Sequence, residues 1–387
     1  MPVVVTGSIA TDHLMTFPGK FTEQFVEGQM ANVSLSFLVD DLVQHRGGAG
    51  ANMAYGLGLL GLGPVLVGAV GSDFADYEAW LSRHGVDTAS VHWSELKHTA
   101  RFVCTTDAAN NQIASFYSGA MSEASLIELA PVAGRVGAPD LVVIGPNDPT
   151  AMVRHTDECR TRGYAFAADP SQQLAWADGE MIRTLVDGAD LLFTNEYESH
   201  LLQQKTGWNA DEVLARVGTW VTTRSKDGVL VRQSDAEPIE VIAVPETKPV
   251  EPTGGGDALR AGFIAGRMWG LGLERATQLG SAVATAAVEV IGTQEYDLPR
   301  ESFLRRFADA FGPEAAEEIA AHAADPAYPA PPPGAVSGGP NNQAMADEVA
   351  KAMSGQCQAQ TCWADDINAY ALNEVAINWN APLVWVA

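Results

Sequence analysis

The stretch Glu251-Pro-Thr-Gly-Gly-Gly-Asp257-Ala-Leu-Arg-Ala-Gly-Phe263 decides how this chain is read. Three successive glycines, then an acid, then a helical period describe a tight loop running into a helix N-terminus. Such a loop aims backbone N–H groups toward one point at the positive end of the helix dipole. That suits a phosphoryl group with charge developing on its oxygens. Asp257, at the helix entrance, is placed to accept a proton from an incoming hydroxyl while the amides of Gly254, Gly255 and Gly256 form an anion hole. On these residues alone a plainer reading stays open, in which the aspartate caps the helix and the glycines make a turn. No Lys-Ser/Thr pair follows the glycines, so the loop is not a Walker A motif.

Outward from the loop, helical periods cover Asp257 to Trp269 and Leu273 to Ile291, and Thr219 to Val244 is strand-rich. Further upstream, Val3 to Val5, Leu141 to Ile144, Tyr164 to Ala168 and Leu191 to Thr194 read as strands separated by helix-length segments. This predicts an α/β fold, a mostly parallel sheet flanked by helices on both faces. Val33 to Val39, Arg101 to Thr105 and Gln112 to Tyr117 have turns rather than helices between them. They predict a small antiparallel sheet, a lid built within about residues 12–45 and 98–118. Residues 325–342 are rich in Pro and Gly and read as a linker, between a domain over 1–324 and a tail over 343–387.

The 387 residues are 47% hydrophobic and 18% charged, enough for a sizeable core. A net charge of −25 repels nucleic-acid backbones and anionic lipid surfaces, which argues against both as partners. Any phosphate must be held locally. Four cysteines show neither a disulfide framework nor metal-ligand spacing, and Cys104 and Cys159 read as buried thiols. No apolar run approaches a membrane span and the first residues lack a signal-peptide pattern, so a cytoplasmic location is expected.

Thr253-Gly-Gly-Gly-Asp257-Ala resembles the second signature of the PfkB, or ribokinase-like, carbohydrate and nucleoside kinases. Arg46-Gly-Gly-Ala-Gly-Ala-Asn52-Met-Ala resembles the first, and Asn195-Glu-Tyr-Glu198 the family's Asn-x-x-Glu element. Three motifs in order span residues 1 to about 320. Within the family, Thr6-Gly-Ser-Ile-Ala-Thr-Asp12-His-Leu-Met, Ser34-Leu-Ser-Phe-Leu-Val-Asp-Asp-Leu, Asp169-Pro-Ser-Gln-Gln173-Leu-Ala and Gly292-Thr-Gln-Glu are similar to the mycobacterial-type adenosine kinases.

The resemblance implies a ribokinase-like fold and ATP-dependent phosphorylation of the adenosine 5′-hydroxyl to AMP, a purine-salvage reaction, with Asp257 as base. A kinase for a free sugar such as ribose or fructose is the alternative. ATP would meet Asn195, Thr223, Lys226 and Gly228, and Asn195 with Glu198 would organise Mg²⁺ through its waters. Asp12, helped by Ser8, Gly48 and Asn52, would take the ribose hydroxyls. Gln172 and Gln173 would also contact the nucleoside, and Phe102 and Phe116 would sandwich the purine, although ordinary lid core is an open reading of that pair. The resemblance also implies a homodimer formed through the lid. Two departures stand out: Ser225 occupies a loop position where the family has glycine, and Gly255 replaces the usual Ala or Val of the anion-hole loop.

Beyond the linker, Cys357-Gln-Ala-Gln-Thr-Cys362-Trp and Tyr370-Ala-Leu-Asn373-Glu374-Val-Ala-Ile-Asn-Trp resemble the end of family 9 glycoside hydrolases, the cellulase endoglucanases. Glu374 is the counterpart of their general acid. Hydrolysis needs a second carboxylate, and the family's Asp-Ala-Gly-Asp motif does not occur in the chain. An inactive appendage without a complete fold is therefore expected, its Cys357 and Cys362 able to pair only in an oxidising compartment.

Overall fold

The structure, a computed structural model, describes residues 2–24, 36–248 and 250–322, which belong to one compact unit. Glu374, Cys357 and Cys362 lie outside the described residues. In chain order the first elements are β1 (Val3–Thr6), β2 (Ala10–Phe17), β3 (Asp41–Gly47), α1 (Ala49–Leu59), β4 (Val65–Val67), β5 (Ala69–Val70) and α2 (Ala75–Arg83). Next come β6 (His92–Trp93), β7 (Ala100–Asp107), β8 (Gln112–Tyr117), α3 (Leu129–Val136), β9 (Leu141–Ile144), α4 (Pro149–Arg162) and β10 (Phe166–Ala168). Then follow α5 (Gly179–Val186), β11 (Leu191–Asn195), α6 (Glu196–Thr206), α7 (Ala210–Leu214), β12 (Thr219–Thr223), β13 (Val229–Arg232) and β14 (Ile239–Val241). The described part ends with α8 (Gly255–Met268), α9 (Leu273–Val288), α10 (Arg300–Phe311) and α11 (Pro313–Ala320).

The main sheet runs β14-β13-β12-β11-β10-β9-β1-β4. Neighbours from β12 to β4 are parallel, and β13 and β14 are antiparallel. The central strands are apolar along most of their length, with polar Thr6, Thr194 and Asn195 at their carboxyl ends, because both faces are covered. Side chains alternate: Val3, Val5, Val143 and Phe193 enter a core with α1, α8 and α9, while Val4, Val142, Ile144 and Leu192 enter one with α3 to α7. Cys104 and Cys159 are buried and unpaired. No helix among the described residues is long and apolar enough to cross a membrane.

The lid is a four-stranded sheet, β3-β2-β7-β8. Its β7 and β8 lie where the alternation predicts them. The first lid strand does not: β3 begins at Asp41, and residues 36–39 are in no strand. Phe37 instead packs on Phe17 and Phe21, with ring centroids 4.8 and 5.3 Å apart, so this apolar run fills a small aromatic cluster. Two-stranded sheet β5-β6 completes the set.

Candidate active site

The crevice forms where the carboxyl ends of β1, β9, β10 and β11 meet the start of α8, the position at which open α/β sheets expose binding loops. Gly254 caps α8 with φ +84°, and a Cβ there would lie 2.9 Å from the Thr293 side chain. Only glycine suits that position. The Gly255 amide turns back to the Pro252 carbonyl at 3.3 Å. Gly255 is thereby a turn donor rather than a free member of the anion hole; the N–H groups of Gly254, Gly256 and Asp257 have no protein partner among the described residues. A Cβ on Gly255 would come 2.8 Å from Val288 Cγ1, which explains the missing methyl at this position.

Asp257 stands in the first turn of α8. Its Oδ2 accepts a hydrogen bond from Asn52 Nδ2 at 2.9 Å. Burial pushes its carboxyl up to about 6, against the pull of Arg260 and Asn52 and with a further push from Asp169 and Glu198. Asn52 Oδ1 in turn lies 2.9 Å from Thr293 Oγ1 and from Gln294 Nε2. Gln294 also donates to the Tyr77 hydroxyl, which donates to the Gly47 carbonyl. The sequence places Asn52 beside Asp12 as a ribose ligand. In the structure its Nδ2 donates to Asp257 and its Oδ1 accepts from the loop after α9.

The residues expected to take the ribose come from the end of β1 and from the lid. Ser8 Oγ accepts from Ala49 N–H at 3.0 Å and can still donate, and Gly48, at φ +94°, lets the chain pass against the Ser8 carbonyl. Asp12 is raised to about 6 by burial, with His45 opposing and Glu251 adding to the rise. In register across the lid, His45, Asp12, Phe102 and Phe116 form one row from β3 to β8. Residues in one row share a face. Phe102 and Phe116 therefore project from the same face of the lid as Asp12. Phe116 is 54% exposed. Gln173 Nε2 donates to the Asn147 carbonyl at 3.0 Å, whereas Gln172 is exposed.

A second compartment of about 510 Å³ adjoins the glycine turn and includes Thr223, Lys226, Gly228, Gly256 and Leu259. Three of the four residues assigned to ATP come together there. Asn195 pairs with Thr223 in the sheet, but its side chain forms a reciprocal cap with Glu198: Asn195 Oδ1 accepts from Glu198 N–H and Glu198 Oε2 from Asn195 N–H, both at 2.7 Å. Burial raises the Glu198 carboxyl. Ser225 has φ +53°, the left-handed conformation expected of the family's glycine.

Four groups around the crevice escape sequence reasoning. Arg260 Nη2 bonds Asp169 Oδ1 at 2.7 Å, a buried ion pair behind the glycine turn. Asn147 Nδ2 and Gln294 Oε1 are buried polar atoms without a protein partner. Arg260 was discoverable, because it follows Asp257 by one helical turn inside the same motif. Gln294 lies in the Gly292-Thr-Gln-Glu stretch, which by itself assigns it no role, whereas Asn147 carries no such signal. Among the described residues no three His, Cys, Asp or Glu side chains gather to hold a metal.

Residues 7–300 match the pfkB family of carbohydrate kinases, and residues 301–387 match glycosyl hydrolase family 9. The chain is 30% identical over 256 residues to a nucleoside kinase of Methanocaldococcus jannaschii, covering 65% of this chain and 82% of that one. The solved structure of Burkholderia thailandensis nucleoside kinase in complex with inosine superimposes with a TM-score of 0.69 at 33% identity, over 81% of this chain and 98% of that one. The C-terminal segment is 46% identical over 69 residues to endoglucanase C of Cellulomonas fimi, 17% of this chain and 6% of that enzyme. The second match begins inside the structural unit, since Phe307, Ala315, Ala316 and Ile319 belong to the core that α8 and α9 share.

Proposed function

The chain belongs to the pfkB family of carbohydrate kinases and has a ribokinase-like fold, and we propose that it transfers the γ-phosphoryl of ATP to the 5′-hydroxyl of a purine nucleoside, adenosine first. The observation that carries the reading is the meeting of three parts: Asp257 held by Asn52, the free amides beside it, and the Asp12–Phe102–Phe116 row on the lid. A carboxylate accepts both hydroxyls of a ribose cis-diol, and a flat phenyl wall takes a base. The 33% identical neighbour holding inosine supports a purine acceptor.

In this reading Asp257 takes the proton of the 5′-hydroxyl as O5′ bonds to the γ-phosphorus. The bond from that phosphorus to the bridging oxygen breaks, and its electron pair leaves with ADP. Free N–H groups at the start of α8 receive the charge on the transferring oxygens. Thr223, Lys226 and Gly228 receive the nucleotide. Glu198, partly buried beside the acidic site, suits a hydrated Mg²⁺ carried by the triphosphate better than a bare ion in a protein cage, and the metal would supply charge neutralisation there. Closure of the lid row over the nucleoside would exclude water.

The lid homodimer is part of the same proposal. Leu42 and Ile113, 59% and 46% exposed, share one row on the face opposite Asp12 and would be covered by a second lid. Sedimentation that shows only monomer at micromolar concentration removes it.

The test is a panel of adenosine, inosine, cytidine, ribose and fructose with ATP and Mg²⁺, read as ADP formed. Adenosine should lead and Asp257→Asn should abolish turnover. Preference for a 6-oxo purine moves the assignment to inosine, and preference for a free sugar discards the nucleoside reading.

A further inference from the structure

The acidic chain has few cations, yet it buries one beneath its reaction site. Arg260 lies on α8 three residues after Asp257 and four after Gly256. Helical side chains lean toward the N-terminus, so Arg260 covers the turn that carries those two residues. Its Nη1 would be 2.7 Å from a Cβ on Gly256, which places the guanidinium directly against the glycine turn. Nη2 donates to Asp169 Oδ1 at 2.7 Å and to Ser171 Oγ at 3.2 Å. Arg260 is 6% exposed and Asp169 is fully buried.

Stability does not explain this pair. Buried ion pairs gain little net free energy over apolar side chains of similar volume. Here the pair is also incompletely satisfied, with Arg260 Nε and Asp169 Oδ2 lacking protein partners. Ser171, which helps to fix it, sits at φ +41°, a costly conformation for a residue with a Cβ.

We propose that Arg260 is a positioning residue for phosphoryl transfer: fixed by Asp169 and Ser171 and lying against Gly256, its guanidinium is the cation that holds the Asp257 carboxylate and the glycine turn together while negative charge gathers between them. The proposal rests on the kinase reading of the site. The groups facing Asp257 are Arg260 from its own helix, Asn52 from α1, Glu198 from α6, Asp169 after β10 and Tyr296 after α9. Of these, Arg260 is the one that favours the ionised base by charge, and Asp169 and Glu198 oppose it.

The opposed signs give a test that a scaffold role would not pass. Arg260→Met should lower kcat about 100-fold, leave the KM for nucleoside within about threefold, and move the acidic limb of the pH–rate profile upward by about one unit. Asp169→Asn should move the same limb downward, and Arg260→Lys should restore most of kcat. The ¹³C carboxyl resonance of Asp257, identified by its loss in Asp257→Asn, should titrate with the same two opposite shifts in the absence of substrate. This readout works even if the chain turns over no nucleoside, so failure of the kinase reading and failure of the charge role are separable. If Arg260→Met does not fold, Arg260→Lys and Asp169→Asn carry the comparison. Shifts of the same sign in the two variants, or an Asp257 titration unmoved in both, overturn the proposal.

Discussion

Asn52 donates to Asp257 across 205 residues of sequence, at 2.9 Å from Nδ2 to Oδ2, joining the first glycine motif to the second. The bond orients the Asp257 carboxyl, the proposed base. It also makes Asn52 the hub through which Thr293, Gln294 and Tyr77 reach the reaction site.

Truncating that hub should therefore damage catalysis more than binding. Asn52→Ala is expected to lower kcat at least 10-fold while the KM for nucleoside changes less than threefold. It should also cost about 1–3 kcal/mol of stability, because one N–H of the buried Gln294 amide loses its acceptor, while Thr293 keeps the Arg46 carbonyl and Gln294 its bond to Tyr77. Steady-state kinetics and urea unfolding measure the two effects. A pure KM effect would return Asn52 to the ribose site.

Both Asp257 and Asp12 are raised by burial to about 6. The base works only when ionised, so kcat should fall as pH drops through about 6 and level off above about 7. Asp12 keeps both acceptor oxygens only when ionised, so kcat/KM for nucleoside should fall more steeply than kcat over the same interval. An acidic limb near pH 4 would show that neither carboxyl is perturbed.

The two lid phenylalanines are expected to differ in weight. Phe116 is the more exposed and so is free to meet a base, whereas Phe102 sits between Asp12 and Phe116 in the row. Phe116→Ala should raise the KM for adenosine about 10-fold, within the range of one lost base–aromatic stack. The KM for ATP should not move. Phe102→Ala should raise the same constant and also disturb the Asp12 row, which cytidine and adenosine would report alike.

Ser225 carries a left-handed φ of +53° next to Lys226 and Gly228. Ser225→Gly removes the strain and should raise stability by about 0.5–1 kcal/mol, with a modestly lower KM for ATP. Thermal melts with and without ADP test it. Gly255→Ala should do the opposite, since its methyl would meet Val288, and Val288→Ala in the same chain should relieve the damage.

How much was readable before folding depends on the kind of residue. The glycine turn, Asp257 and the apolar strands announce themselves, because φ > 0, a helix start and double-sided burial each demand particular residue types. Of the strand expected over Val33 to Val39, residues 33–35 lie outside the described residues and residues 36–39 are in no strand, because an apolar run can fill an aromatic cluster as well as a sheet, as Phe37 does against Phe17 and Phe21. The relation between the two lid phenylalanines is hidden for a different reason. Whether two lid aromatics face or flank each other depends on strand register, and the register pairs Phe102 with Phe116 directly.

Sequence alone determined the α/β class and the glycine turn that opens α8 with Asp257 in its first turn, because these are local demands of backbone geometry on contiguous residues. Tertiary structure alone decided what surrounds Asp257. Asn52 arrives from α1, Asp169 from beyond β10 and Gln294 through its bond to Asn52, whereas Arg260 shares the helix of Asp257, and their hydrogen bonds and charges act through distances that only packing sets.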